Sequence, residues 1–290
     1  MADKGHYGGG QGTRQGIYVC SSSGDFLSSI NSLDPDAVIT TLETALRKWK
    51  QLPETVRRRG SAANPMPAHR WEASYPGKGL VLVSVNRDLA AEQGGFRRTD
   101  DRWNRDHVWF SVEEARGWLP RDLKTGAVHV VPAALAQRLA RFHLIDSVRG
   151  QTLPFAVEEV RGSEIQTEVL ERRGQVVRLR ISGATMAEAE GPWLMGENDW
   201  KPPREFPRSM ATQLLGYASY DLGRGAFTAF EMIVVGHRRG YTQNNARSRG
   251  PQEGTIGFVF TLAEDTPAER VPPSFIDIYD AAWVARPPGS

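Results

Sequence analysis

"SEIQTEVLERRGQVVRLRISG", residues 163 to 183, decides the class of fold. Ile165, Thr167 and Val169 alternate with polar residues before an Arg-Gly turn, and Val177, Leu179 and Ile181 alternate after it. A period of two places each trio on one face of a strand, so the stretch predicts an antiparallel hairpin with one buried face. The pattern recurs downstream. "ATQLLGYASYDLGRGAFTAFEMIVVG", residues 211 to 236, predicts a second hairpin around "DLGRG". "GTIGFVFTL" (254–262) and "SFIDIYDAAWV" (274–284) predict two further strands, and the Pro- and Trp-rich stretch 189–209 reads as a long loop. Hairpins in sequence imply a meander that curls into a barrel or sandwich. Phe230, Met232 and Val234 fall on one face of their strand, with Phe227, Ile233 and Val235 on the other. That strand is expected to be covered on both sides.

Upstream, residues 77–155 read as a small α/β segment. "GLVLVSVN" (79–86) is a strand, residues 88–106 a long polar loop, and "HVWFS" (107–111) a strand. Ser111 and Glu114 have capping-box spacing at the head of a short helix. "AVHVV" (127–131) is a strand, and Pro132 opens a helix that runs to about Phe142. "RRRGSAANPMPAHRW" (57–71) has the composition of a linker, placed at 57–76. Residues 1–15 are Gly-rich and read as a flexible arm. The expected organisation is α+β: arm, hairpin and helix (16–56), linker, α/β segment (77–155) and antiparallel β domain (156–290).

"RQGIYVCSSSGDFLSSINSLDPDAVITTLETALRKW", residues 14 to 49, predicts a hairpin about "SSSGD" and then a helix. Asp34 suits the N-cap and Pro35 the first helical position. Val38, Leu42, Ala45, Leu46 and Trp49 have helical spacing, which predicts one buried face. Cys20 lies beside Tyr18 and Val19 and is expected to be a buried thiol. This hairpin and helix resemble the C-terminal portion of a thioredoxin-like fold, in which two antiparallel strands lead into a last helix that covers the sheet. The chain departs from that family in having no Cys-x-x-Cys, and no proline in "GTRQG" before the first strand. The resemblance thus implies a remnant without thiol–disulfide chemistry that docks on the β-rich remainder of the chain. "FHLIDSVRGQTLPF" (142–155) and "AFTAFEMIVVGHRRGYTQNNARSRG" (226–250) resemble segments of bacterial proteins of uncharacterised function. That likeness implies natural relatives that start further upstream and are exported.

Composition excludes several classes. Of 290 residues, 36 are Lys or Arg and 34 Asp or Glu, for a formal charge of +2, without the basic clustering of a nucleic-acid binder. No apolar run approaches the roughly 20 residues that span a bilayer. The first residues have no signal-peptide core, so the sequence as written implies a cytoplasmic protein, or an exported one whose leader has been trimmed. The lone cysteine permits neither an intrachain disulfide nor a thiolate zinc cluster.

Three groups of residues are candidates for function. Glu231 stands in an otherwise apolar strand, and His237 lies six residues on, on the same side. They read as a catalytic acid–base pair, or Glu231 is a buried structural partner of Arg178 and Arg180. The loop after that strand carries Arg238, Arg239, Tyr241, Asn244 and Asn245, which suit carboxylate, phosphate or sugar hydroxyls, or form a solvated loop. His143 and Asp146 could give a metal two ligands from one turn, or His143 is a structural residue at a helix end. Trp103, Trp193 and Trp200 in polar stretches suit a carbohydrate or peptide, or plug a barrel. No phosphate-binding glycine loop, dinucleotide fingerprint or nucleophile elbow occurs, and no motif names a cofactor. The residues point to a non-redox binding or interaction protein whose β domain takes a small molecule, carbohydrate or protein. The alternatives are a hydrolase or metal-assisted enzyme, and a non-catalytic fragment of a thioredoxin-like redox-associated protein.

Overall fold

The computed structural model describes residues 16–22, 24–58, 74–89, 102–150, 152–190, 207–242, 245–247 and 252–274. The chain divides into two compact units, Met1–Arg70 and Trp71–Ser290. In the first, β1 (Ile17–Cys20) and β2 (Phe26–Ile30) pair antiparallel. The turn is closed by Ser21, whose Oγ accepts from Asp25 N at 2.9 Å. Helix α1 (Pro35–Gln51) starts at its expected cap: Asp34 Oδ1 accepts from Ala37 N at 2.8 Å. The short α2 (Glu54–Arg57) comes next. The buried face of α1 is narrower than its spacing predicts. Ala45 is buried and Val38 and Trp49 are half-buried, but Leu42 and Leu46 are exposed. Two strands about 5 Å apart cover only a strip of a helix. Cys20, expected inside, is exposed, because it ends β1 where the register shifts and the hairpin opens.

The second unit is organised by one antiparallel sheet of eight strands. They are β3 (Leu80–Asp88), β4 (Trp103–Phe110), β5 (Val128–Val130), β6 (Val160–Arg173), β7 (Val176–Ala189), β8 (Arg208–Asp221), β9 (Ala226–Gly240) and β10 (Glu253–Leu262). The order is β4-β3-β10-β9-β8-β7-β6-β5, so β10 inserts between β3 and β9. The hairpin read at 163–183 forms as expected: Thr167 pairs with Ile181 and Val169 with Leu179, all buried. Strand β4 begins at Trp103, inside the stretch expected as loop, because its inward and outward positions already alternate there. Trp103 itself is exposed, while Trp193, Trp200 and nearly all of 274–284 lie outside the described residues.

The sheet is neither a closed barrel nor a sandwich: among the described residues, β4 and β5 are free edges of the ladder. Helical segments bridge the gap instead. These are α3 (Val112–Arg116), α4 (Ala133–Arg138) and a π-helical turn, Leu139–His143. Arg138 Nη1 donates to Trp109 O of β4 at 3.1 Å, while α4 also packs on β6 and the π turn on β6 and β7. One helical run thus meets both ends of the curled sheet. The capping box of α3 is complete, with Glu114 N bonded to Ser111 Oγ (3.2 Å) and Ser111 N to Glu114 Oε2 (2.8 Å). The same Glu114 forms an ion pair with Arg138.

Inward residues make one core. Trp118 lies edge-to-face with Phe110 (5.6 Å) and Phe230 (5.8 Å), and Phe227 meets Phe230 at 5.9 Å. The expected double covering of β9 is not found. Ile233 is 61% and Val235 47% exposed, because the helical run packs on the inner face. A bulge at Thr228 turns Phe227 inward, onto the face of Phe230 rather than that of Ile233. No helix among the described residues is long and apolar enough to cross a membrane. Trp118→Ala is expected to lower unfolding free energy by about 3–5 kcal/mol, read from urea denaturation, because the ring is fully buried where three elements meet.

Candidate functional site

The inward positions of β3 read Leu80, Leu82, Ser84, Asn86, and their partners on β4 read Phe110, Val108, Asp106, Asn104. The inner face therefore changes from apolar to polar along these strands. A cavity of about 600 Å³ opens at the polar end, bounded on its other side by the π turn and the chain just after it. Phe142, Ile145 and Val148 supply apolar wall; Asn86, Asn104 and Ser147 supply hydrogen-bonding groups. Both amides donate to Ser147 Oγ, Asn86 Nδ2 at 3.2 Å and Asn104 Nδ2 at 3.1 Å. Asn86 is 4% exposed, and its Oδ1 has no hydrogen-bond partner among the described residues.

His143 reaches the cavity because the π turn, closed by Leu144 N to Leu139 O at 2.8 Å, adds a residue to the helix and rotates its end. Its Nδ1 lies 3.5 Å from Asp106 Oδ2. Burial pushes the imidazole below its ordinary range, which the nearby carboxylate only partly offsets. Burial also pushes Asp106 up, but His143 and the amides of His107 and Ser274 outweigh it and hold the carboxyl below its usual value. Asp106 Oδ1 accepts from Ser274 N and Oγ, both at 3.0 Å.

Behind the cavity lies a knot of charges. Arg247, 1% exposed, donates to both oxygens of Asp88 (2.8 and 2.7 Å) and both of Asp146 (2.8 and 2.7 Å). Arg149 Nε adds a bond to Asp88 at 2.9 Å, and Arg238 Nε stands 3.7 Å from Asp146. Burial raises the Asp88 carboxyl, but the bonds from Arg247 and Arg149 bring it below its ordinary value.

The residues expected to act together are distributed differently. Glu231 and His237 are exposed on the outer face of β9, each beside its own shallow hollow. Six residues of strand separate them by about 20 Å, too far to share a proton. Arg180 pairs with Glu168, and Arg178 lies 3.5 Å from Glu171, so acids on β6 face both arginines. His143 and Asp146 face different partners, Asp106 and Arg247, and no group of three His, Cys, Asp or Glu among the described residues could hold a metal ion. The loop residues do not converge. Arg238 is buried in the knot, and Arg239 is exposed near Glu253 at 3.5 Å. Tyr241 borders a separate hollow. Asn245 is buried, its Oδ1 accepting from Thr242 N at 3.0 Å; Asn244 lies outside the described residues. Sequence reasoning misses Asn86, Asn104 and Ser147, although Ser and Asn replacing Val and Leu at alternate positions of one strand is a usable signal. Comparison with protein-family models, curated proteins and solved structures gives no match.

Two outcomes are expected. Arg247→Ala should cost about 3–5 kcal/mol in denaturant unfolding, because it strands two acids in a largely buried site. A histidine with a depressed folded value binds fewer protons when folded, so its contribution is present above 6.5, its unfolded value, and is lost progressively as pH falls from there toward the lower folded value. The melting temperature should therefore drop between about pH 7 and 5, and His143→Gln should flatten that slope.

Proposed function

We propose that the chain is a non-redox binding protein that takes a small molecule into the cavity between β3, β4 and the π turn. One observation carries this reading: a cavity of about 600 Å³ has in its wall the buried side chain of Asn86, whose Oδ1 is without a partner among the described residues. Ligand sites are typically clefts of about 300–1,000 Å³ with apolar walls and a few placed polar groups. A buried acceptor left unpaired costs about 1–3 kcal/mol, which a bound donor would recover. The thioredoxin-like likeness of residues 14–50 adds no chemistry to this reading, because Cys20 is the chain's single cysteine.

The enzyme alternative draws on a different pair from Glu231 and His237. His143 and Asp106 are 3.5 Å apart at the same cavity, an imidazole with a carboxylate beside it. A ligand returned unchanged after prolonged incubation supports binding. Turnover that vanishes in His143→Gln supports the enzyme.

Leu153 is half-buried at the cavity wall, so Leu153→Trp should fill the cavity while leaving the core intact. In a ligand-observed NMR screen of a diverse fragment library, the wild type is expected to give mutually competing hits that the variant loses. Hits that persist in a folded Leu153→Trp protein, or no hits at all, would remove the proposal.

A further inference from the structure

Resting on the binding reading above, we infer that the cavity selects an uncharged ligand carrying a hydroxyl or carboxamide, read by Asn86 and Ser147 as an adjacent acceptor and donor. The Ser147 oxygen accepts one N–H from Asn86 and one from Asn104, at 3.2 and 3.1 Å. A hydroxyl oxygen has two lone pairs and one proton. With both lone pairs engaged, the O–H points away from the two amides, and no acceptor for it exists among the described residues. Ser147 belongs to the cavity wall, so its O–H is assigned as the donor to the ligand. Asn86 belongs to the same wall, and its buried Oδ1, unbonded among the described residues, is assigned as the acceptor from the ligand.

A ligand that answers both must accept from Ser147 and donate to Asn86. A hydroxyl does this with one oxygen, and a carboxamide does it with its C=O and N–H. A carboxylate can accept but not donate, and it would meet the ionised Asp106 in the wall. An ammonium can donate but not accept, and the oxygens of Asp106 are already occupied by Ser274 and faced by His143. Phe142, Ile145 and Val148 leave room for an apolar ring or face behind the polar edge.

Ring-matched probes test this: benzamide and benzyl alcohol as neutral partners, benzoate and benzylamine as charged ones, toluene with neither donor nor acceptor. Chemical-shift titration of the full chain, followed at the Asn86 and Asn104 side-chain amides, is expected to give benzamide and benzyl alcohol at least about tenfold tighter binding than the other three. Asn86→Leu should bring benzamide to the level of toluene, and Asn86→Asp should shift preference to benzylamine. Ser147→Ala, which removes only the hydroxyl, supplies the same test if either Asn86 variant fails to fold. Benzoate, benzylamine or toluene binding as tightly as benzamide would overturn the ligand class while leaving a binding cavity. So would silence from all five probes while library fragments still bind in a manner sensitive to Leu153→Trp. Absence of every fragment as well would end both readings.

Discussion

One guanidinium holds the polar end of the sheet together. Arg247 lies between Asp88, the last residue of β3, and Asp146, three residues past the end of the π turn. The two strips of chain it clamps also carry the proposed binding groups: Asn86 is two residues before Asp88, and Ser147 comes directly after Asp146. The spacing of Asn86 and Ser147, and so the separation of acceptor and donor, depends on that clamp. Forked bonds to two carboxylates fix direction as well as distance, which a single hydrogen bond at the same place would not. Arg238 and Arg247 thus turn their charge inward, as a brace, while Arg239 stays exposed.

The gap in the open sheet is spanned by side chains rather than by ladder hydrogen bonds. Arg138 connects the capping box of α3 to the edge of β4, and Thr167 Oγ1 on β6 donates to Trp118 O at 2.9 Å. Trp118 then sets its indole against residues from β4 and β9. The inter-helical stretch is therefore a strut between sheet ends. Beyond it, the π turn ends α4 irregularly, and Phe142 and His143 leave the helical path and enter the cavity wall.

Local chemistry is readable from the sequence; non-local chemistry is not. The Asp34 cap, the Ser111–Glu114 box and the hairpin at 163–183 are each set by residues a few positions apart, and they form where the spacing places them. Whether the meander closes depends on curvature summed over eight strands, and no short stretch encodes it. Strand β9 misleads for a different reason. Both its faces are apolar near Ile233, so alternation alone cannot say which is inside, and the bulge at Thr228 reverses the parity for Phe227. The cavity is half visible: Ser84 and Asn86 interrupt an apolar row, but Asn104 and Ser147 join them only through pairing with β4 and the placement of the π turn.

Strand order also has a temporal side. β3 finds its second neighbour in β10, with Val85 opposite Val259, while the intervening long strands pair with their immediate successors. Contacts between such remote positions form late and slowly, since a long loop must be closed before any bond rewards it. On the ribosome, the hairpin bearing Asn86 and Asn104 would emerge early and wait, one edge bare, until β10 is synthesised. The β3 edge that faces β10 can therefore be paired only once residues 253–262 have been made, so the chamber wall is completed by the last strand of the sheet.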